Sequence, residues 1–230
     1  MDVVILCGGM GIRLRNIVSD RPKVMAEVNS RPFLDTLIDY VAGFKFRRFV
    51  LCVGYMKDFI KENYEHDSSG LDILFSEEKD LLGTAGAIKN AEAFIRSNPF
   101  LVMNGDSFCR IDMKKFLDFH FSKNAFISIA LASQAKDADY GVVRLDSSQR
   151  VISFNEKIKP DIDNFVSAGI YLFNKDAFGL IPSNINYSLE YDFFPNIIDK
   201  GIFGYITGEG VIDIGTPDRY RDAKKKLGGN

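Results

Sequence analysis

The sequence predicts an α/β fold, a Rossmann-like and mostly parallel sheet flanked by helices, joined to a more β-rich lobe. Three observations carry this. Short apolar runs at residues 3–7, 49–53 and 100–103 read as strands buried on both faces. Segments with apolar residues at helical spacing separate them, the pattern of βαβ units with right-handed crossovers. Beyond residue 125 the strands follow one another with little helix between them.

Taken in order, residues 3–7 form the first strand, and 33–44 a helix with Phe33, Leu34, Leu37, Ile38 and Val41 on one face. Residues 49–53 are a strand, 58–64 a helix, 71–75 a strand, and 85–95 a helix with Ile88, Ala91 and Ile95 aligned. The strand at 100–103 ends on Asn104-Gly105-Asp106. Asp112 is placed to cap a helix over 113–121, whose Leu117 and Phe121 read as core. Strands at 127–132, 142–145, 151–154 and 166–173 follow. Ser188 caps a helical segment with Glu190 and Asp192 in its first turn, which Pro195 should kink or restart. Strands at 203–206 and 211–214 precede a closing helix over 217–227, with Pro217 in its first turn. No linker or long repeat interrupts the chain, so residues 1–230 read as one domain with lobes of about 1–110 and 111–230.

Composition narrows the function. The 230 residues carry 29 Lys and Arg against 31 Asp and Glu, a net charge of −2 that supplies no field for general nucleic-acid binding. The three cysteines sit in apolar runs, as reduced intracellular thiols do, and the two histidines lack metal-ligand spacing. That argues against a zinc site and a Ser-His-Asp enzyme. The opening residues lack a signal peptide's basic region, and no run approaches the ~20 apolar residues of a membrane span. A cytoplasmic protein is expected.

Leu6-Cys7-Gly8-Gly9-Met10-Gly11-Ile12-Arg13-Leu14 follows the first strand directly, and its glycines let backbone N–H groups close on a phosphate chain. The loop then runs to about Asn29 without a regular element, and Arg13, Arg15, Arg21, Lys23 and nearby Arg31 favour a polyanion. A tight turn with solvated charges is the plainer alternative. A dinucleotide fingerprint fits badly, since Leu14 replaces the third glycine and no acid follows the second strand. A P-loop's Gly-Lys-Ser/Thr is absent.

Asp106 ends the fourth strand at the edge where open α/β sheets bind ligands, and Asp213 ends another apolar strand. Mg2+ takes one or two carboxylates, with water and phosphate oxygens completing its shell. A turn at Asp106 and a helix cap at Asp213 remain the alternatives.

With these pieces in hand, the chain resembles the sugar-1-phosphate nucleotidyltransferases. Residues 6–14 and Arg21-Pro22-Lys23 look like the family's opening signature, and Leu82-Gly83-Thr84-Ala85-Gly86 like its base loop. Asn104-Gly105-Asp106, Phe154-Asn155-Glu156-Lys157, Ala168-Gly169-Ile170-Tyr171 and Asp213-Ile214-Gly215-Thr216 look like its later motifs, in order along nearly the whole chain. Cys7 and Ile12 depart from the usual Ala and Thr, and the second change removes a hydroxyl from the phosphate loop.

The resemblance implies attack of a sugar 1-phosphate oxygen on the α-phosphorus of a nucleoside triphosphate. Arg13, Lys23, Asp106 and Lys157 would be catalytic, and Asp106 and Asp213 would hold Mg2+. Leu6, Gly8, Gly9, Gly11, Glu78, Gly83, Thr84 and Ala85 would line the nucleotide, and Gly141, Glu156, Lys157 and Gly169 the sugar phosphate. Gly86 stands where pyrimidine-specific relatives often carry Gln, leaving room for a purine, and Glu78 could accept from guanine. A solvated charged turn is the alternative for Glu78. Residues 188–195 resemble the heptose-1-phosphate guanylyltransferase branch, which makes a GDP-heptose for surface glycans such as capsule or lipopolysaccharide. GTP and a sugar 1-phosphate are then the ligands, and a homo-oligomer such as a dimer is allowed. Mannose 1-phosphate and N-acetylmuramate 1-phosphate remain rival sugars, and a non-catalytic nucleotide-sugar sensor is the rival class.

Overall fold

A computed structural model describes residues 1–65, 70–132, 141–155 and 164–228. β1 (Asp2–Leu6) leads into a long loop that holds the small antiparallel pair β2 (Glu27–Val28) and β3 (Arg31–Pro32). Next come α1 (Phe33–Gly43), β4 (Arg48–Val53), α2 (Lys57–Tyr64), β5 (Asp72–Glu77), α3 (Gly83–Asn90) and β6 (Phe100–Asn104). β1 lies between β4 and β6, parallel to both, and β5 adds parallel to β4. This is the sheet expected from the apolar runs.

The chain continues through β7 (Ser107–Cys109), α4 (Met113–Ser122), β8 (Ile127–Ala132), β9 (Val142–Leu145), β10 (Val151–Asn155) and β11 (Phe165–Phe173). β11 carries the sheet past β6 in the antiparallel sense, giving the order β10-β9-β11-β6-β1-β4-β5 with β8 on its other side. The short α5 (Phe194–Asn196) precedes β12 (Ile202–Ile206), which runs parallel to β8. β13 (Val211–Asp213) leaves the main sheet to pair with β7, and α6 (Pro217–Leu227) closes the described chain.

The sheet separates two apolar layers. Val3 and Ile5 of β1 point into one with Phe33, Leu34 and Leu37, while Val4 points into the other with Val50, Phe100 and Phe173. A strand covered on both faces has no place for a polar residue, hence its unbroken apolar run.

Some elements differ from expectation. The helix expected over 85–95 starts at Gly83 and stops at Asn90, where the Ala91 N–H is shared between two carbonyls and a 3₁₀ turn takes over. The glycine loop and the stretch after it contain 3₁₀ turns at Ile12–Leu14 and Lys23–Met25 rather than irregular chain alone. Phe121 is 62% exposed instead of core, its ring set edge-on to His120, while Leu117 does pack inward. Asp112 and Ser188 cap as expected, but Ser188 opens a π-helical turn, Leu189–Phe193, before the helix restarts beside Pro195. The cap of α6 is Thr216, not Asp213.

Candidate active site

β1 and β6 end side by side, with Leu6 opposite Asn104 and the Gly105 N–H bonded to the Leu6 carbonyl at 3.0 Å. The chain therefore leaves β1 into the glycine loop at the point where it leaves β6 into Asp106. The β7–β13 ladder sets Ser107 opposite Asp213, and the Ile214 N–H bonds the Asp106 carbonyl at 3.0 Å. Residues far apart in sequence thus place two carboxylates at neighbouring corners of one cleft.

Both carboxylates face cations. The Lys23 ammonium bonds Asp106 Oδ2, and Arg219 Nη1 lies 3.5 Å from Asp213 Oδ2. Asp213 Oδ1 also accepts from the Gly215 N–H at 2.8 Å. Burial works to raise the Asp106 carboxyl, but Lys23, aided by Arg13, outweighs it and holds the group below its ordinary range. No cluster of three or more His, Cys, Asp or Glu suited to a metal occurs among the described residues. Two carboxylates with few other donors suit a hard divalent cation that takes its remaining ligands from phosphate and water.

Asn104 and Asp106 line two cavities, one on each side. The first is walled by Leu6, Gly8, Gly9, Glu78, Gly83 and Thr84. Glu78 is 9% exposed and accepts from the Leu82 N–H at 3.0 Å. Burial pushes its carboxyl up, against that hydrogen bond. A Cβ on Gly8 would fall 2.5 Å from Glu78 Oε1, so glycine there makes room for the carboxylate. Glu78 is therefore no member of a solvated turn.

The second cavity is walled by Arg13, Gly141, Gly169, Glu190, Asp213 and Arg219. Gly169 has φ +70° at a register shift in β11, and a Cβ there would lie 2.7 Å from Ser107 Oγ. Asn104 Oδ1 and Ser107 Oγ are buried without a hydrogen-bond partner.

The remaining expected residues fall less simply. Lys23 stands behind Asp106, and a Cβ on Gly11 would fall 2.9 Å from the Lys23 Cβ, so glycine there leaves it room. Ala85 is fully buried and gives its N–H to the Tyr187 carbonyl. Of the loop's five cations, Arg15 lies over the Tyr55 ring, Arg21 pairs with Asp20 and Glu27, and Arg31 with Asp35 and Asp39. Nearby carboxylates and an aromatic ring engage those three, whereas Arg13 lines the second cavity and Lys23 pairs with Asp106. Glu156 and Lys157 lie outside the described residues. Sequence reasoning missed Asn104, Ser107 and Arg219 as cleft residues and took Glu190 for a helix-end charge. Asn104 and Ser107 flank Gly105-Asp106, and that adjacency was the available signal.

An open α/β sheet with a glycine loop and paired aspartates at its carboxyl edge defines a class, the enzymes that handle nucleotides and their phosphates at that edge. The chain belongs to the nucleotidyl transferase family, whose model matches residues 2–229. It is 38% identical over 221 residues to a D-glycero-alpha-D-manno-heptose 1-phosphate guanylyltransferase of Campylobacter jejuni, covering 96% of this chain and 97% of that one. It is 34% identical over 228 residues to the enzyme of the same name from Aneurinibacillus thermoaerophilus, covering 99% and 98%. Among solved structures it resembles HddC from Yersinia pseudotuberculosis, complexed with GMP-PN, with a TM-score of 0.85, 32% identity and coverage of 98% and 99%.

Proposed function

We propose that this protein transfers GMP from GTP to D-glycero-α-D-manno-heptose 1-phosphate, releasing pyrophosphate and forming a GDP-heptose for surface glycan synthesis. The observation that carries the reaction is Asp106, which faces both cavities and lies beside Asp213. The end-to-end similarity to two heptose 1-phosphate guanylyltransferases supports the choice of sugar.

The nucleotide belongs to the lobe of residues 1–110, over Leu6, Gly8, Gly9, Gly83 and Thr84, with Ala85 buried behind them. Glu78 would accept from guanine N1–H and its exocyclic amine, a pair of donors that adenine lacks. The sugar phosphate belongs to the lobe of 111–230, where Gly141 and Gly169 let backbone approach, Lys157 holds the phosphate and Glu156 accepts from hydroxyls. A sugar phosphate oxygen attacks the α-phosphorus, and pyrophosphate leaves in line. No side chain need act as nucleophile, which agrees with Cys7 being buried and its thiol pushed up by burial. Arg13 and Lys23 neutralise the triphosphate and the departing pyrophosphate. Asp106 and Asp213 are the residues that would hold Mg2+, which supplies charge neutralisation to the phosphate oxygens when bound.

The test is pyrophosphate release with Mg2+, crossing five nucleoside triphosphates against heptose, mannose, glucose and N-acetylmuramate 1-phosphates. Turnover confined to GTP and the heptose is expected. UTP or dTTP turnover would remove Glu78 from base selection, and mannose turnover would reassign the sugar. Silence across the grid, with GDP-sugar still bound, would favour a sensor. In Asp106→Ala, turnover should fall at least ~10²-fold. Near-normal turnover in the folded variant would overturn the mechanism.

A further inference from the structure

Thr84 stands in the nucleotide-side cavity and Glu190 in the sugar-side cavity, yet the two touch. Thr84 Oγ1 donates to Glu190 Oε2 at 2.8 Å and accepts from the Leu189 N–H at 2.7 Å. Ser188 Oγ donates to the same carboxylate oxygen at 2.9 Å and takes the Glu190 and Tyr191 N–H groups as a helix cap. Backbone bonds fasten the two segments beside this pair. The Ala85 and Gly86 N–H groups meet the Tyr187 carbonyl at 2.9 and 3.0 Å, and the Tyr187 N–H meets the Leu82 carbonyl at 2.8 Å. The loop of residues 82–86 and the segment 187–190 are thus one mechanical unit. The one proton of the Thr84 hydroxyl is used in that unit rather than on a nucleotide.

Glu190 differs from the other carboxylates of its cavity. Asp106 faces Lys23 and Asp213 faces Arg219, as groups in a phosphate-binding cleft must. Among the described residues the Glu190 carboxylate has two hydroxyl partners but no cation, and its Oε1 accepts no hydrogen bond. A carboxylate without a cation repels phosphate but accepts strongly from neutral O–H groups. Its second oxygen is held in place by two hydroxyls, so the first is preorganised to receive a donor.

We propose that Glu190 receives ring hydroxyls of the sugar 1-phosphate, and that Thr84 is the positioning residue that fixes it, so that the base loop also sets the sugar site. This rests on the reaction proposed above. The experiment is calorimetric titration of D-glycero-α-D-manno-heptose 1-phosphate into the full chain holding a non-hydrolysable GTP analogue and Mg2+, alongside steady-state kinetics. Glu190→Gln should weaken sugar-phosphate binding by ~10-fold or more, as loss of a charged acceptor does, while affinity for the GTP analogue stays unchanged. Thr84→Val should raise KM for the sugar phosphate by a larger factor than KM for GTP, and Thr84→Ser should restore it. If Glu190→Gln fails to fold, Glu190→Asp keeps the charge one methylene short and should show the same selective loss.

Equal sugar-phosphate affinity in wild type and both Glu190 variants would overturn this assignment alone. Weakened GTP binding in Thr84→Val, with the sugar phosphate unaffected, would make Thr84 a nucleotide contact instead. A wild-type protein that binds no sugar 1-phosphate would overturn the reaction itself, and this assignment with it.

Discussion

His120 is 2% exposed, with Nδ1 2.9 Å from Ser128 Oγ and Nε2 3.2 Å from Asn174 Oδ1. Burial pushes its pKa down, with the Asn174 contact opposing, so the folded protein holds the ring neutral. The unfolded chain takes up a proton near pH 6.5 and the folded one only at lower pH. Stability from this group is therefore complete above pH 6.5 and drains away as the pH falls toward the folded value. Urea titrations at pH 7.5 and 5.5 should show that loss, and His120→Gln, which cannot charge, should reduce it. This history was unreadable from the sequence, where His120 appears only as a residue without a metal partner. The same holds for the loop cations. Arg13, Arg15, Arg21, Lys23 and Arg31 look equivalent in the chain, and only the fold shows which of them Tyr55, Asp20, Glu27, Asp35 and Asp39 engage.

At the scale of elements, β11 carries the sugar-side cavity through one residue. Gly169→Ala puts a side chain at φ +70°, costing about 1–2 kcal/mol, and drives its Cβ against Ser107 Oγ. At about 2–4 °C per kcal/mol, its melting temperature should drop by several degrees. Sugar-phosphate affinity should fall with it, whereas GTP affinity should hold. Asp112→Ala is the contrasting change. Asp112 Oδ1 accepts from the Lys114 and Lys115 N–H groups, and its loss should cost about 1 kcal/mol while leaving turnover intact. Helices with a clear apolar face and strands covered on both sides were legible because burial dictates their pattern. β2, β3 and β7 were not, being two or three residues each, too short to show a pattern, and β7 is held by a partner, β13, distant in sequence. Nor could Ser188-Leu189-Glu190 announce a π-helical turn, since one of the two hydroxyls that anchor it arrives from Thr84.

For the molecule as a whole, both cavities open onto Asp106, so ligands should stabilise the fold as a unit. GTP with Mg2+ at 100 times its Kd should add about 2.7 kcal/mol and raise the melting temperature by ~5–10 °C. EDTA should remove most of that gain and stop pyrophosphate release, and added Mg2+ should restore both. Two of the motifs made the cleft legible at this scale, since the glycine loop follows β1 and Gly105-Asp106 follows β6, strands that the sheet sets side by side. The direction of β11 was not legible, because an apolar strand reads alike in either sense. One flank of that sheet has a further consequence for how copies of the chain meet. β5 is its last strand, and charge brackets it at both ends. Arg48 pairs with Asp72, while Lys57 and Lys61 hold Glu77. Their hydrogen bonds keep the Glu77 carboxyl down at about 2, ionised through mildly acid conditions. A foreign strand adding to that flank would have to dehydrate these ion pairs, a cost of the kind that discourages edge-to-edge pairing.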